Sequence, residues 1–99
     1  MKDFIELDSF HKKALHELGS NALDSLLLSI GENPLVGSPI KQTECIRCIP
    51  CESIRKNEDL LLTYYADSSS GLTIVIGLFN AFDEGILNKA LRKLALEIK

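Results

Sequence analysis

The stretch "DLLLTYYADSSSGLTIVIGLF", residues 59–79, constrains the fold more than any other part of the sequence. It consists of two apolar runs separated by a short polar turn, which is the pattern of a β-hairpin. In the second run Leu72, Ile74 and Ile76 alternate with residues that are also mostly apolar. A strand with two apolar faces needs cover on both of them. We therefore predict a central strand in a sheet that has other elements packed on its two sides.

Three amphipathic helical patterns supply that cover. "FHKKALHEL" and "NALDSLLLSIG" each carry an apolar stripe at helical spacing and predict a helical hairpin. "DEGILNKALRKLALEIK" carries a similar stripe and predicts a helix at the end of the chain. The predicted N-caps of the three helices are Asp8 or Ser9, Ser20 and Asp83.

Two further segments complete the predicted sheet. "DFIELD" alternates acidic with apolar residues and predicts a short first strand, and "TECIRCIP" predicts the strand that precedes the hairpin. Between the helices and that strand, "ENPLVGSPIKQ" has no periodicity and predicts a connecting loop. At 99 residues the chain is long enough for one core, so residues 1–99 form a single domain. The predicted class is α+β: an N-terminal strand, an α-helical hairpin, a three-stranded antiparallel meander that joins the first strand in one sheet, and a C-terminal helix.

The charge balance and hydropathy of the chain exclude some classes of function. Eleven Lys and Arg against fourteen Asp and Glu give a net charge of −3 and no global attraction to nucleic acid or anionic membranes. No apolar run reaches the roughly 18 residues that a membrane span requires. The start, "MKDFIELDSF", is acidic where a secretory signal would be apolar. We expect a cytoplasmic protein with no membrane association.

The three cysteines, Cys45, Cys48 and Cys51, are each separated by two residues, which raises the question of a metal or cluster site. Successive strand residues point to opposite faces, so this strand places Cys48 on one side and the other two on the opposite side. The thiols then cannot converge on one ion, and we expect free, partly buried cysteines with no metal and no cofactor. A metal or redox role remains the alternative.

The order of elements and several motifs resemble the RelE/ParE toxin superfamily. "ENPLVGSPIKQTECIRCIP" is similar to a segment in which a helix ends in an E-N-P-x-x-G-x-P-like turn and the next strand begins with an apolar residue and an arginine, here Ile46 and Arg47. "LLLTYYADSSSGLTIVIGLFNAF" looks like the family's hairpin, and "ILNKALRKLALEIK" resembles the C-terminal helix of its phage-derived, HigB-like branch. The resemblance covers nearly the whole chain and implies a RelE-like fold.

This resemblance implies the toxin of a bacterial type II toxin–antitoxin pair, with a cognate antitoxin protein as its partner. The superfamily contains ribosome-dependent mRNA endoribonucleases and, in the ParE branch, poisons of DNA gyrase. Its nucleases use lysines and arginines to hold phosphate and to offset charge in the transition state. The corresponding catalytic candidates here are Arg47, Arg55, Lys56 and Tyr65, and the substrate-binding candidates are Lys41 and Tyr64.

Each candidate also has a structural interpretation. Arg47 could pair with a carboxylate as a framework residue, and Arg55 and Lys56 could lie in a solvated turn. Tyr64 and Tyr65 are neighbours in a strand, so one is expected to pack inward while the other faces solvent.

Two departures from the family pattern favour a second hypothesis. Where the family has an arginine shortly before the hairpin tyrosine, this chain has the run Leu60–Leu62, and where the HigB-like branch has lysines, it has Asp83 and Glu84. An acidic surface suits the binding of a basic protein and opposes approach to RNA. The alternative is therefore a catalytically degenerate, acidic protein-binding module of the same fold, such as an immunity-like or decoy protein.

Overall fold

The computed structural model describes residues 3–40, 43–55 and 58–97. The elements, in chain order, are β1 (Asp3–Glu6), α1 (Asp8–Leu18), α2 (Ser20–Glu32), β2 (Ser38–Pro39), β3 (Ile46–Glu52), β4 (Asp59–Asp67), β5 (Leu72–Asn80) and α3 (Ile86–Glu97). The strands form one sheet in the order β1-β5-β4-β3-β2. β1 runs parallel to β5, and the other neighbouring strands are antiparallel. The predicted α+β class and element order are confirmed.

The strand β5 lies between β1 and β4 and is covered on both faces, as its two apolar faces predict. Val75 and Leu78 pack in the core cluster that includes residues of α1 and α2. Ile74 and Ile76 pack in a second cluster, which includes Ala90 of α3. The sheet is therefore a middle layer between the helical hairpin and the C-terminal helix.

The start of α1 differs from the prediction of Asp8 or Ser9 as its N-cap. The helix begins at Asp8, so Leu7 occupies the cap position and provides no side-chain hydrogen bond. Leu7 is 3% exposed and packs in the cluster beneath α3, so burial rather than capping fixes this end of the helix. The Ser9 hydroxyl instead donates to Oε2 of Glu97 at 2.7 Å and joins α1 to α3.

The starts of α2 and α3 also differ from the predicted caps. Gly19 rather than Ser20 is the N-cap of α2, because its φ of 81° lets one residue turn the chain from α1 into α2. Asp83 accepts the Gly85 N–H at 2.7 Å in the turn that precedes α3. The predicted N-caps of the helical hairpin, Asp8 or Ser9 for α1 and Ser20 for α2, were therefore wrong, since Leu7 and Gly19 occupy these positions.

The segment between α2 and β3 contains one element that the sequence did not predict. Ser38 and Pro39 form β2, which pairs antiparallel with Cys48 and Arg47 of β3. Proline lacks an N–H, and its place here is an edge strand, where that loss is tolerated. Among the residues that the structure describes, no helix has both the length and the apolar character needed to cross a membrane.

Candidate functional site

Arg47 lies near the start of β3 and is half-buried. Its Nε donates to the Gly37 carbonyl at 2.9 Å, and Nη1 and Nη2 donate to the carbonyls of Glu44 and Leu35, each at 3.3 Å. The planar guanidinium thus holds the backbone on both sides of β2. This geometry supports the framework interpretation of Arg47, with backbone carbonyls taking the place of the expected carboxylate.

Tyr64 is opposite Arg47 in the β3–β4 register and is fully buried. Its hydroxyl donates to the Pro34 carbonyl at 2.6 Å and accepts the Gly37 N–H at 2.9 Å. Burial raises the pKa of this hydroxyl above its ordinary value, although the Gly37 N–H and the Arg47 charge oppose the rise. We call Arg47, Tyr64 and the segment 34–37 that they hold the loop brace.

Tyr65 lies on the opposite face of the sheet from Tyr64. It lines a cavity of about 340 Å³ beneath α3, together with Leu72, Ile74 and Leu94. Desolvation and the nearby Asp67 carboxylate raise the pKa of its hydroxyl. The strand alternation therefore places the two tyrosines on opposite faces, as predicted, but Tyr65 is half-buried against the cluster beneath α3 instead of facing solvent. It does not share a site with Arg47.

Arg55 lies in the turn beyond the far end of β3. Its Nε donates to the His16 carbonyl at the end of α1, 3.1 Å away, and its backbone N–H donates to Oγ of Ser53. Five residues of β3 follow Arg47, a span of about 16 Å before the turn begins. The structure therefore brings Arg47 and Tyr64 together but leaves Arg55 and Tyr65 in two other places. Lys41 and Lys56 lie outside the described residues, so their predicted roles stay predictions.

A polar cleft of about 300 Å³ lies between α1, the start of β4, the end of β5 and the start of α3. Its ionisable side chains are Lys13, Lys89, Glu17, Glu58 and Asp83. Lys89 forms an ion pair with Asp83. Lys13 donates to the Leu78 carbonyl at 3.3 Å. The cleft therefore holds three carboxylates and two lysines that already have partners, which is poor chemistry for binding a phosphate.

This cleft could not be predicted from the sequence, because its residues come from four separate segments of the chain. Among its ionisable residues, Asp83 is one of the two acidic residues that stand where the HigB-like branch has lysines. Its pKa is lowered mainly by the Lys89 ammonium, with help from the Gly85 N–H. The carboxylate is thus ionised at neutral pH and neutralises the nearby lysine, so the cleft offers no strong positive field.

The cysteines are free thiols in the described residues. Burial raises the pKa of Cys48 and raises that of Cys51 to about 11, so neither is a ready thiolate. The Cys48 thiol lies 3.4 Å from the Thr63 hydroxyl in the core. Within residues 3–40, 43–55 and 58–97, no group of three potential ligands is placed to hold a metal ion.

The whole architecture is similar to that of solved toxin structures. The free E. coli toxin RelE, in a mutant with two arginines replaced by alanine, matches with a TM-score of 0.67 at 15% identity, over 94% of this chain and 97% of that one. The isolated E. coli RelE toxin in a P21 crystal form matches with a TM-score of 0.58 at 16% identity, over 95% and 99%. No protein-family model matches the sequence, and no curated protein matches it.

These likenesses define the class of fold. The chain has the RelE-like toxin fold over nearly its full length, and the resemblance inferred from the motifs is confirmed at that level. At 15–16% identity these structures show which fold the chain has, but they do not show which of its residues form a functional site.

Proposed function

We propose that this chain is the toxin component of a bacterial type II toxin–antitoxin system, acts in the cytoplasm and is bound by a cognate antitoxin protein. The observation that supports this proposal is the RelE-like fold, matched over 94–95% of the chain to proteins described as toxins. The motifs at the end of α2 and in the β4–β5 hairpin point the same way. Action on the ribosome and its mRNA, or on DNA gyrase, belongs to this proposal.

Within this proposal, the described residues favour action through protein contact over RNA cleavage. Arg47 donates to three backbone carbonyls, and Arg55 donates to another at a distant point of the fold. A nuclease without a metal needs cationic side chains that converge on one phosphate and stabilise the negative charge that develops on it in the transition state. Arg47, Arg55 and Tyr65 do not converge in this way.

The same observation supports a second candidate function. A RelE-like domain whose described residues form no converging cationic site, and which carries a net charge of −3, suits an immunity-like or decoy protein that binds a partner without any catalysis. Such a protein would be harmless when produced alone, whereas a toxin would arrest growth.

Tightly controlled expression in a bacterial host separates these functions. Growth and the integrity of translated mRNA are measured for the native chain, for Arg55→Ala/Lys56→Ala, and for the matched control Lys12→Ala/Arg92→Ala, which removes two cations from the helices. Arg47→Ala is tested as well, with circular dichroism to show that the loop brace still folds. The native chain is expected to arrest growth while mRNA stays intact.

The other results each have a definite meaning. Cleaved mRNA that becomes intact in Arg55→Ala/Lys56→Ala, but not in the control, would establish the nuclease hypothesis and its predicted site. Unaffected growth would reject the toxin and support the immunity-like or decoy protein.

A further inference from the structure

A groove runs past the starts of β1 and β5 and the end of β4, on the side of the sheet that α2 covers. Its first part, about 280 Å³, lies between α2 and β1, and its second part, about 210 Å³, continues toward the β4–β5 turn. The two parts share Pro34 and Thr73 in their walls, so they form one continuous surface. We call it the α2 groove and define it by Phe4, Leu28, Pro34, Leu35, Asp67 and Thr73.

The walls of the α2 groove expose large apolar side chains. Leu28 is 63% exposed, Leu35 is 55% exposed and Phe4 is 40% exposed. Val36, next to the groove, is 48% exposed. Contiguous apolar surface of this kind is typical of a place where another molecule packs.

Among the described residues that line the α2 groove, the charged side chains are the carboxylates Glu32 and Asp67, and the neighbouring Arg47 guanidinium is held on backbone carbonyls. Over residues 19–40 the chain contains two carboxylates, Asp24 and Glu32, and no Lys, Arg or His. One of them, Glu32, lies in the groove wall. At the other end, Asp67 accepts hydrogen bonds from the Ser69 N–H and from the hydroxyls of Ser69 and Ser70. These donors lower the pKa of Asp67 and keep it ionised at neutral pH.

This combination selects one kind of occupant. Nucleic acid and anionic membranes are repelled by the carboxylates. A second copy that packed groove against groove would place like charges opposite each other. A polypeptide with apolar residues flanked by Lys or Arg satisfies both the apolar walls and the acidic ends.

We infer that the α2 groove binds an amphipathic, cationic segment of a protein partner. Its apolar side chains pack on Leu28 and Leu35, and its Lys or Arg side chains pair with Glu32 and Asp67. The inference rests on the proposed function in one respect, since the cognate antitoxin is the partner expected to carry this segment.

The test uses the full chain and two fluorescent 14-residue peptides, one of leucine and lysine and one with glutamate in place of lysine. Anisotropy gives the dissociation constants, and shifts of backbone amide signals give the contact surface. The lysine peptide is expected to bind at least tenfold more tightly than the glutamate peptide and to shift signals of α2 and β1. Leu28→Ser is expected to weaken binding about tenfold, the equivalent of about 1.4 kcal/mol.

Two matched variants control for nonspecific effects. Leu96→Ser removes an apolar side chain that is 66% exposed on α3, comparable with Leu28, and is expected to leave binding unchanged. Glu32→Gln is expected to weaken binding, whereas Glu84→Gln, at an exposed site before α3, is not.

Three results would overturn the inference. They are equal effects of Leu28→Ser and Leu96→Ser, equal binding of both peptides, and signal shifts confined to α3. Loss of a concentration-dependent dimer in Leu28→Ser would assign the groove to a second copy instead. Growth arrest without peptide binding would reject only the binding role of the α2 groove. Peptide binding without growth arrest would reject only the proposed toxin function.

Discussion

Replacement of Tyr64 by phenylalanine removes one oxygen from the centre of the loop brace and keeps the buried ring. That oxygen makes two hydrogen bonds, with the Pro34 carbonyl and the Gly37 N–H, and Gly37 is itself buried. A buried donor that loses its partner costs about 1–3 kcal/mol, and a typical hydrogen bond contributes about 1 kcal/mol. The free energy of unfolding should therefore fall by about 2–4 kcal/mol.

Such a loss is large beside the total stability of about 5–15 kcal/mol that small domains have. The chain has no tryptophan, so unfolding by urea and by heat is best followed with far-ultraviolet circular dichroism. The thermal midpoint should fall by roughly 10–25 °C.

Tyr65→Phe is the matched control for this measurement. Its hydroxyl is on the other face of β4, where the side chain is only half-buried, so water can replace what is lost. We expect a change of less than about 1 kcal/mol. Equal stabilities of the two variants would refute the argument that the loop brace depends on the Tyr64 hydroxyl.

Three further predictions concern single side chains. In Gly37→Ala the added Cβ would lie 2.9 Å from the Tyr64 oxygen, so the variant should lose about 1–3 kcal/mol of stability. In Gly31→Ala the added Cβ has nothing within 4 Å, so this helical variant should gain about 0.5–1 kcal/mol. Urea unfolding of both variants checks that the two changes in stability have opposite signs. At pH 8, alkylation of Cys51 should be about a hundredfold slower in the folded chain than in urea, because burial raises its pKa from 9.0 to about 11. Equal rates in the two states would contradict the burial of this thiol. The pKa of Asp67 is lowered in the folded chain, so its contribution to stability is present above the unfolded pKa of about 4 and is lost as the pH falls through the folded pKa. Asp67→Asn should therefore flatten the decline of the urea midpoint between pH 6 and 2.5. An unchanged slope would contradict this prediction.

Most of the fold was predictable because periodicity reports burial directly. The two apolar faces of β5 required cover on both sides, and the three helical stripes supplied it. The helix starts were less predictable, because Leu7 and Gly19 occupy cap positions for reasons of packing and chain direction. The short strand β2 exists because it pairs with β3, and this pairing cannot be predicted from any local pattern in "ENPLVGSPIKQ".

The candidate site was less predictable than the fold, since residue type does not say where a polar side chain finds its partner. Arg47 was predicted from its type and its resemblance to a family position. Its three acceptors are backbone carbonyls, which every residue carries, so the sequence contains no sign of them. The polar cleft was not predictable for a related reason, because Lys13 and Asp83 come to line the same cleft only after the chain has folded.

The loop brace and the α2 groove share one segment of the chain. Tyr64 holds the Pro34 carbonyl and Arg47 holds the Leu35 carbonyl, and both of these loop residues line the groove. Two side chains predicted to act on a substrate would thus shape the surface for a partner without touching it. Tyr64→Phe should therefore weaken the binding of the lysine peptide even under conditions in which the variant stays folded. Unchanged affinity in that folded variant would mean that the segment keeps its shape through Arg47 alone.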